Sequence, residues 1–187
     1  MQRHIMRAYE RLVTAEEFAR IPNDDYHYEL VEGRVVRVIP PGSRHAVLAT
    51  RIAVLLSQHT EAHSLGAVMT PAGFELARNP DTVREPDVAF VHSRRIPETG
   101  VPDGFWPGPP DLAVEIRSPG DRPSEISAKI SDYLARGVRL VWVVDPKAKT
   151  VTTHVPQSPA VTLGMDDVLD AGDIVPGFAC PVRRIFA

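Results

Sequence analysis

Residues 84–91 read REPDVAFV and residues 111–119 read DLAVEIRSP, and these two stretches decide the fold. Each one sets an acidic residue, Asp87 or Glu115, in an apolar run that is typical of a buried β-strand. A carboxylate buried there is destabilising unless it is paired with a cation or bound to a metal ion. If the two strands are neighbours, the sequence predicts a divalent metal ion between their acids.

The segments before these runs predict a short helix followed by a hairpin. The sequence TAEE at residues 14–17 is a capping box, which predicts a short helix through Arg20. The Glu32-Gly33 pair separates two strand-like runs, residues 28–31 and 34–38, and predicts a two-residue hairpin turn.

A longer helix and a second hairpin are predicted next. Ser43 is placed to cap the helix, because a serine side chain can accept a hydrogen bond from the first turn. Residues 67–69 and 73–76 flank Pro71 and predict the hairpin. The apolar stripe of the helix comprises Val47, Leu48, Ile52, Leu55 and Leu56.

The second half of the chain completes an α/β pattern. A helix is predicted from Pro123 to Arg136, stopped by Gly137, with an apolar stripe of Ile126, Ile130, Tyr133 and Leu134. It precedes a buried strand over residues 138–144. Residues 149–155 alternate and predict a partner strand, whereas the proline-rich residues 97–110 predict a surface loop. This order of elements predicts a mixed central sheet flanked by helices.

Composition limits the possible environments and partners of the chain. Its 187 residues suit one domain, predicted over residues 12–187 after an extension at 1–11. The net charge of −3 predicts no broad basic surface, which counts against non-specific binding to nucleic acid. Cys180 is the single cysteine, so an internal disulfide and a cysteine-based zinc site are excluded. With no 18-residue apolar run and no signal-peptide pattern, we expect a cytoplasmic protein without membrane association.

The pair of strand acids has a metal interpretation and a structural alternative. Carboxylates from adjacent strands, together with the Ile116 carbonyl, make an all-oxygen site suited to Mg²⁺ or Mn²⁺. In the alternative, Asp87 caps a strand and Glu115 forms a buried salt bridge with Arg117, which lies two residues further on the same face.

Two basic side chains, Arg117 and Lys129, are candidates for a catalytic role beside these acids. Arg117 cannot act as a general base at ordinary pH, although it can stabilise a phosphate. Lys129 flanks the stripe of the predicted helix 123–136 and is the better candidate to orient or deprotonate a water. Its alternative role is a solvated side chain at the edge of the helix.

Glu29 and His45 are further candidates. Glu29 is a third carboxylate within an apolar strand, and simple solvent exposure is its alternative. His45 occupies the first turn of the long helix, where a neutral ring can bind a metal ion or a phosphate; an ordinary surface histidine is the alternative.

The order of these motifs resembles the Uma-type family of endonucleases, within the PD-(D/E)XK nuclease superfamily. The resemblance covers residues 12–187 and implies a restriction-endonuclease-like core, with Asp87 and Glu115 as metal ligands and Glu29 as an additional acid. The superfamily lysine normally stands two residues after the second acid, where this chain has Arg117; Lys129 matches a lysine moved to the following helix. The resemblance is carried by residues 14–18, 28–33, 86–89, 114–119, 141–146 and 172–178, with His45, Lys129, Tyr133 and Gly137-Val138.

Our hypothesis from the sequence is a Mg²⁺-dependent (or Mn²⁺-dependent) endonuclease that hydrolyses phosphodiester bonds of DNA. Asp87, Glu115 and Glu29 would bind the metal ion, with Lys129 and Arg117 as catalytic cations. A homodimer would suit it, since cutting a duplex requires two sites. The competing hypothesis is a catalytically inactive nuclease-fold module that binds nucleic acid or protein, which the acidic net charge favours. A hydrolase of small phosphate esters, with a closed pocket instead of an open groove, is the third.

Overall fold

The computed structural model describes residues 11–22, 26–38 and 40–187. The chain groups into two compact units. The first unit comprises Met1–Pro40, Gly73–Glu85 and Pro102–Pro109, and the second comprises Pro41–Ala72, Pro86–Val101 and Pro110–Ala187. Of the extension predicted at 1–11, all but Arg11 lies outside the described residues, and a single domain over 12–187 stays a prediction.

The described residues form short helices and strands of ordinary length. The helices are α1 (Ala15–Phe18), α2 (Ser43–Ala62), α3 (Pro123–Ala135) and α4 (Arg183–Phe186), with a 3₁₀ turn at Ser93–Arg95. The strands are β1 (His27–Val31), β2 (Arg34–Val38), β3 (Gly66–Met69), β4 (Phe74–Ala77), β5 (Thr82–Arg84), β6 (Val88–His92), β7 (Trp106–Pro107), β8 (Leu112–Ile116), β9 (Leu140–Asp145), β10 (Thr150–His154), β11 (Val161–Leu163), β12 (Val168–Asp170) and β13 (Ala179–Pro181).

The first unit is a five-stranded sheet with strand order β2-β1-β5-β4-β7. The predicted hairpin is confirmed, because Val31 pairs with Arg34 and the two residues between them have positive φ angles of 49° and 73°. Positive φ at both central residues defines a type I′ turn, which matches the twist of paired strands. The predicted capping box is also confirmed: Thr14 and Glu17 exchange hydrogen bonds at the start of α1.

The second unit contains a six-stranded sheet with order β11-β10-β9-β8-β6-β3 and a separate β12-β13 pair. Strands β8 and β9 run parallel and are joined through α3, whereas β6 pairs antiparallel with β8. The sheet is therefore mixed, as predicted. All five residues of β8 and the first five of β9 are buried, because this central pair is covered on both faces.

The long helix differs from its prediction in two details. Ser43 is the first helical residue and Gly42 is the cap, without a side-chain hydrogen bond, so the capping role predicted for Ser43 is wrong. Val47 was expected in the apolar stripe but is 54% exposed. The buried face of α2 instead comprises Leu48, Ile52, Ala53, Leu56 and Thr60.

The second predicted hairpin is wrong. Strand β3 pairs with β6 in the second unit, whereas β4 pairs with β5 and β7 in the first unit. Local turn chemistry around Pro71 suggested a hairpin, but distant strands supply better partners on each side. The stretch 97–110 is also more than a surface loop, because it contains β7 and the buried Trp106.

The helix after β8 begins at Pro123 as predicted and ends in the cap formed by Arg136 and the left-handed Gly137. Of its predicted stripe, Tyr133 is the one fully buried member. Within residues 11–22, 26–38 and 40–187, no helix is long and apolar enough to cross a membrane.

Candidate active site

Glu115 lies in β8 of the second unit, and Asp87 immediately precedes the neighbouring strand β6. The ladder between β6 and β8 pairs Val88 with Val114, Ala89 with Ala113 and Phe90 with Leu112. Continuing this register by one residue sets Asp87, which immediately precedes β6, opposite Glu115. Residues opposite each other across a ladder project from the same face of the sheet. The fold therefore brings together the two acids that the sequence singled out.

The Asp87 carboxylate is bound to the end of β8. Its Oδ2 accepts a hydrogen bond of 2.7 Å from the backbone N–H of Ile116. The same oxygen lies 2.8 Å from Nε2 of His45, in the first turn of α2. The backbone contact matches the strand-capping role of the structural alternative, because it links the start of β6 to the end of β8. The same carboxylate also faces the His45 imidazole.

Glu115 is held by two residues from one face of α3. The residue is buried at 6% exposure, and Lys129 Nζ lies 2.9 Å from Oε2. The Tyr133 hydroxyl, fully buried, donates a hydrogen bond of 2.7 Å to Oε1. Because Lys129 and Tyr133 are four residues apart, one helix face delivers a positive charge and a neutral donor to the same carboxylate.

Arg117 does not form the buried salt bridge with Glu115 that the structural alternative supposed. Strand β8 ends at Ile116, and the Arg117 guanidinium pairs with Asp145 Oδ2 at 2.6 Å. Burial alone would raise the pKa of Asp145, but N–H donors from Ala148 and Lys147 and the Arg117 charge outweigh it and lower that pKa. Lys129 thus replaces Arg117 as the cation on Glu115.

His45 is a partly buried imidazole, 13% exposed, between acidic groups. Desolvation lowers its pKa, which favours the neutral ring, although the charges of Asp121 and Glu115 act in the opposite direction. Its Nδ1 lies 3.4 Å from the Ser118 hydroxyl. Its Nε2 is near Asp87 but lacks a hydrogen bond of good geometry within the described part of the chain. At 2.8 Å the imidazole nitrogen is nevertheless within ion-pair distance of the Asp87 carboxylate.

Glu29 lies on β1 in the first unit. It is buried, so the alternative of simple solvent exposure is wrong. Arg84 Nη1 donates to Glu29 Oε2 at 2.8 Å, and the Glu85 backbone N–H donates to Oε1 at 3.2 Å. A buried carboxylate with a charged donor is a stable arrangement by itself. The role of Glu29 as a third metal ligand stays a prediction.

A family model described as "Putative restriction endonuclease", named Uma2, matches residues 15–183. The chain belongs to this family. The match includes every residue singled out above, from Glu29 to Asp145, and confirms the resemblance inferred from the motifs. No curated protein matches the sequence.

A solved structure supports the fold of this Uma2 family member. It comes from Anabaena variabilis ATCC 29413 and is described as "a putative nuclease belonging to DUF820". The two share 20% sequence identity with a TM-score of 0.82, over 93% of this chain and 97% of that one. At this identity the likeness establishes the fold, and it confirms the predicted nuclease-like α/β architecture.

The residues of this Uma2 site are compatible with a cation that needs few protein ligands. Across the described ranges 11–22, 26–38 and 40–187, no group of three or more His, Cys, Asp or Glu side chains is arranged to bind a metal ion. Mg²⁺ is commonly bound through one or two carboxylates and several waters. Asp87 and Glu115 supply two such carboxylates from one face of the sheet, and the donor set therefore fits Mg²⁺ or Mn²⁺.

Sequence reasoning missed part of the site. Tyr133 was interpreted as one residue of an apolar stripe, and Asp121 and Asp145 were given no role in it. The signal for Tyr133 was present, because a buried tyrosine hydroxyl requires a hydrogen-bond partner and Lys129 lies one turn before it on the same face. The pairing of Asp145 with Arg117 joins residues 28 positions apart and had no local signal.

Proposed function

We propose that this protein hydrolyses phosphodiester bonds of DNA with the help of a divalent cation, Mg²⁺ or Mn²⁺. The observation that carries the proposal is the pair Asp87 and Glu115: Asp87 immediately precedes β6, Glu115 lies on the neighbouring β8, and Lys129 contacts Glu115 directly. Two acids on one sheet face repel each other unless a cation offsets their charge. Membership of the Uma2 family supports the nuclease class of activity.

Each residue has a defined task in this proposal. Asp87 and Glu115 hold the cation. A bound divalent cation lowers the pKa of water and offsets the charge of the phosphate. The Lys129 ammonium donates a hydrogen bond to the attacking water or to a phosphate oxygen, while Tyr133 fixes the orientation of Glu115. Arg117, about one-third exposed, neutralises a neighbouring phosphate.

The proposal extends to partners and location. A DNA duplex as substrate favours a homodimer, because two strands require two cuts. The reducing compartment expected from a single cysteine makes the cytoplasm the proposed location.

Plasmid cleavage tests this function. Supercoiled plasmid is incubated with Mg²⁺ or Mn²⁺ and either wild-type protein or the variant Asp87→Asn, purified identically. Wild type is expected to produce nicked and linear forms, and Asp87→Asn is expected to lose this activity. Asp173→Asn is the matched control, because this aspartate is 82% exposed and pairs with Arg139 at the surface. Equal nicking by wild type and Asp87→Asn would refute the assignment.

A catalytically inactive nuclease-fold module is the second candidate function. One observation favours it: both oxygens of Glu115 already accept from protein donors, Lys129 and Tyr133. Such a module would bind nucleic acid or protein without using the acids. Calorimetry with Mn²⁺ separates the two functions, because a metal-dependent nuclease gives a binding heat that Asp87→Asn abolishes, whereas an inactive module gives none.

A further inference from the structure

The turn between β9 and β10 carries two of the three lysines of the chain, Lys147 and Lys149. Both are exposed, and within residues 11–22, 26–38 and 40–187 neither has a carboxylate at ion-pair distance. In a chain whose net charge is −3, this positive charge is confined to one place on the surface, and it indicates where an anionic partner would bind. The third lysine, Lys129, is the cation on Glu115.

Two arginines hold this turn. Arg117, directly after β8, pairs with Asp145 Oδ2 at 2.6 Å, and the other oxygen of that carboxylate accepts two backbone N–H groups of the turn at 2.9 Å each. Arg44, in the first turn of α2, donates a hydrogen bond of 2.7 Å to the Pro146 carbonyl. Because a carbonyl is uncharged, this contact leaves the positive charge of Arg44 at the turn without neutralising it.

The turn lies at the end of the sheet that carries the two candidate metal ligands. Strands β8 and β9 run parallel and end side by side, at Ile116 and Asp145. The backbone N–H of Ile116 binds Asp87, and the next residue, Arg117, pairs with Asp145. All of these residues belong to the second unit. The basic turn and the acids therefore share one end of one sheet.

The chemistry of the turn suits an extended polyanion. A lysine is a point charge on a flexible stem, and it contacts phosphate oxygens without reading the bases. A DNA duplex carries one negative charge about every 1.7 Å along its axis, so several phosphates are within reach of cations on one surface. Lys147 and Lys149 are exposed on a turn rather than enclosed in a pocket, which favours a long phosphate backbone over one small anion.

We propose that this basic turn, Lys147 and Lys149 together with Arg44, binds the phosphate backbone of duplex DNA without reading its sequence. The identity of the polyanion rests on the proposed function, whereas the turn is a feature of the second unit by itself. Contacts to phosphates fix the register of a duplex on a protein. Here they hold the duplex at the end of the sheet where Asp87 and Glu115 lie.

Metal-free binding to labelled DNA tests the proposal. A fluorescein-labelled duplex of arbitrary sequence is titrated with full-length protein in EDTA at several salt concentrations, and fluorescence anisotropy reports binding. The double variant with Lys147→Gln and Lys149→Asn is expected to bind about tenfold more weakly. Asparagine is chosen at residue 149 because the backbone there has a positive φ of 55°. The slope of log K against log salt should become shallower by about 2, since each phosphate contact contributes about 0.9.

A matched control separates the turn from general electrostatics. The double variant with Arg183→Gln and Arg184→Gln also removes two exposed positive charges from the second unit, in α4, and is expected to bind like wild type. Acetylation followed by mass spectrometry gives a second readout, because three lysines can be followed one by one. Duplex DNA is expected to slow the acetylation of Lys147 and Lys149 severalfold.

Four results would overturn the proposal: no binding by wild type, equal binding by wild type and the lysine variant, equal losses in the lysine and arginine variants, or no protection of the two lysines. Displacement of the duplex by inorganic phosphate, beyond the effect of chloride at equal ionic strength, would also overturn it, because the turn would then be a site for a small anion. The variant Asp87→Asn distinguishes this proposal from the proposed function. Lysine-dependent binding in EDTA with plasmid nicking that Asp87→Asn does not change would refute the nuclease assignment alone.

Discussion

Tyr133→Phe is the sharpest test of how the candidate site is built. The substitution removes one hydroxyl, which donates to Glu115 Oε1 at 2.7 Å in a fully buried position, and leaves the ring in place. A hydrogen bond to a charged group contributes about 1.5–3 kcal/mol, and its loss leaves a buried oxygen with one donor fewer. We expect the free energy of unfolding to fall by about 2 kcal/mol. For a chain of this length that loss lowers Tm by about 4–8 °C.

Urea unfolding followed by circular dichroism and tryptophan fluorescence measures this loss. The control is Tyr26→Phe at a residue that is 40% exposed, and its effect is expected to stay within about 0.5 kcal/mol. A double-mutant cycle with Glu115→Gln isolates the interaction, since residues in direct contact are coupled by about 0.5–3 kcal/mol. A coupling below about 0.5 kcal/mol, or equal losses in the two tyrosine variants, would refute our account of how Glu115 is held.

Further expectations follow from burial and charge. Lys129→Met removes the cation that pairs with Glu115, and the free energy of unfolding in urea should fall by about 3 kcal/mol. Adding Glu115→Gln to this variant should restore part of the loss, because the unpaired charge is then absent. If Glu115 holds a divalent cation, Tyr133→Phe should weaken Mn²⁺ binding by calorimetry about 10–100-fold, whereas an unchanged affinity would separate the two roles. The Cys180 thiol is 1% exposed and burial raises its pKa, so Ellman's reagent should react slowly with the native protein and rapidly in urea. Burial lowers the pKa of His154, so as pH falls the unfolded chain binds a proton at His154 before the folded protein does. The stability contributed by the neutral ring is therefore complete above about pH 6.5 and is lost as pH falls through the folded pKa. In urea unfolding, His154→Gln should reduce the decline in stability on the acid side.

The elements predicted correctly are those whose signal lies within a few residues. The turn at Glu32-Gly33 requires positive φ angles, which the flanking strands and the glycine indicate together. The start of α3 at Pro123 depends on one residue type in one position. The continuous apolar character of β8 and β9 predicted burial on both faces, and both strands are central in the sheet.

The wrong predictions share a different cause. A hairpin between β3 and β4 was inferred from local turn residues, but each strand binds a partner that the local pattern does not specify. Val47 fits the apolar spacing of α2 and is nevertheless exposed, because periodicity indicates that a helix has a buried face without fixing its edges. Both errors concern contacts between distant segments, where a single sequence carries little information.

In the candidate site, too, the residues with a local signal were predicted correctly and the contacts between distant segments were not. Asp87 and Glu115 were found because a charge within an apolar run is anomalous whatever surrounds it. In the structural alternative, the cation on Glu115 was Arg117, which assumed that the strand continued from Glu115 through Arg117. It ends at Ile116, and Arg117 pairs with Asp145 while Lys129 and Tyr133 reach Glu115 from α3.

The presence of Lys129 instead of Arg117 as the cation on Glu115 changes the chemistry that the site can support. An arginine on Glu115 would have been a permanent charge with no base function, and the pair would have been a structural salt bridge. A lysine in that place can exchange between the carboxylate, a water and a phosphate oxygen, because its single nitrogen sits on a flexible stem. Tyr133 holds the other carboxylate oxygen, so the orientation of Glu115 does not depend on Lys129 alone. In the proposed function, α3 therefore separates two tasks: Tyr133 orients Glu115 as a neutral donor, and Lys129 supplies the positive charge.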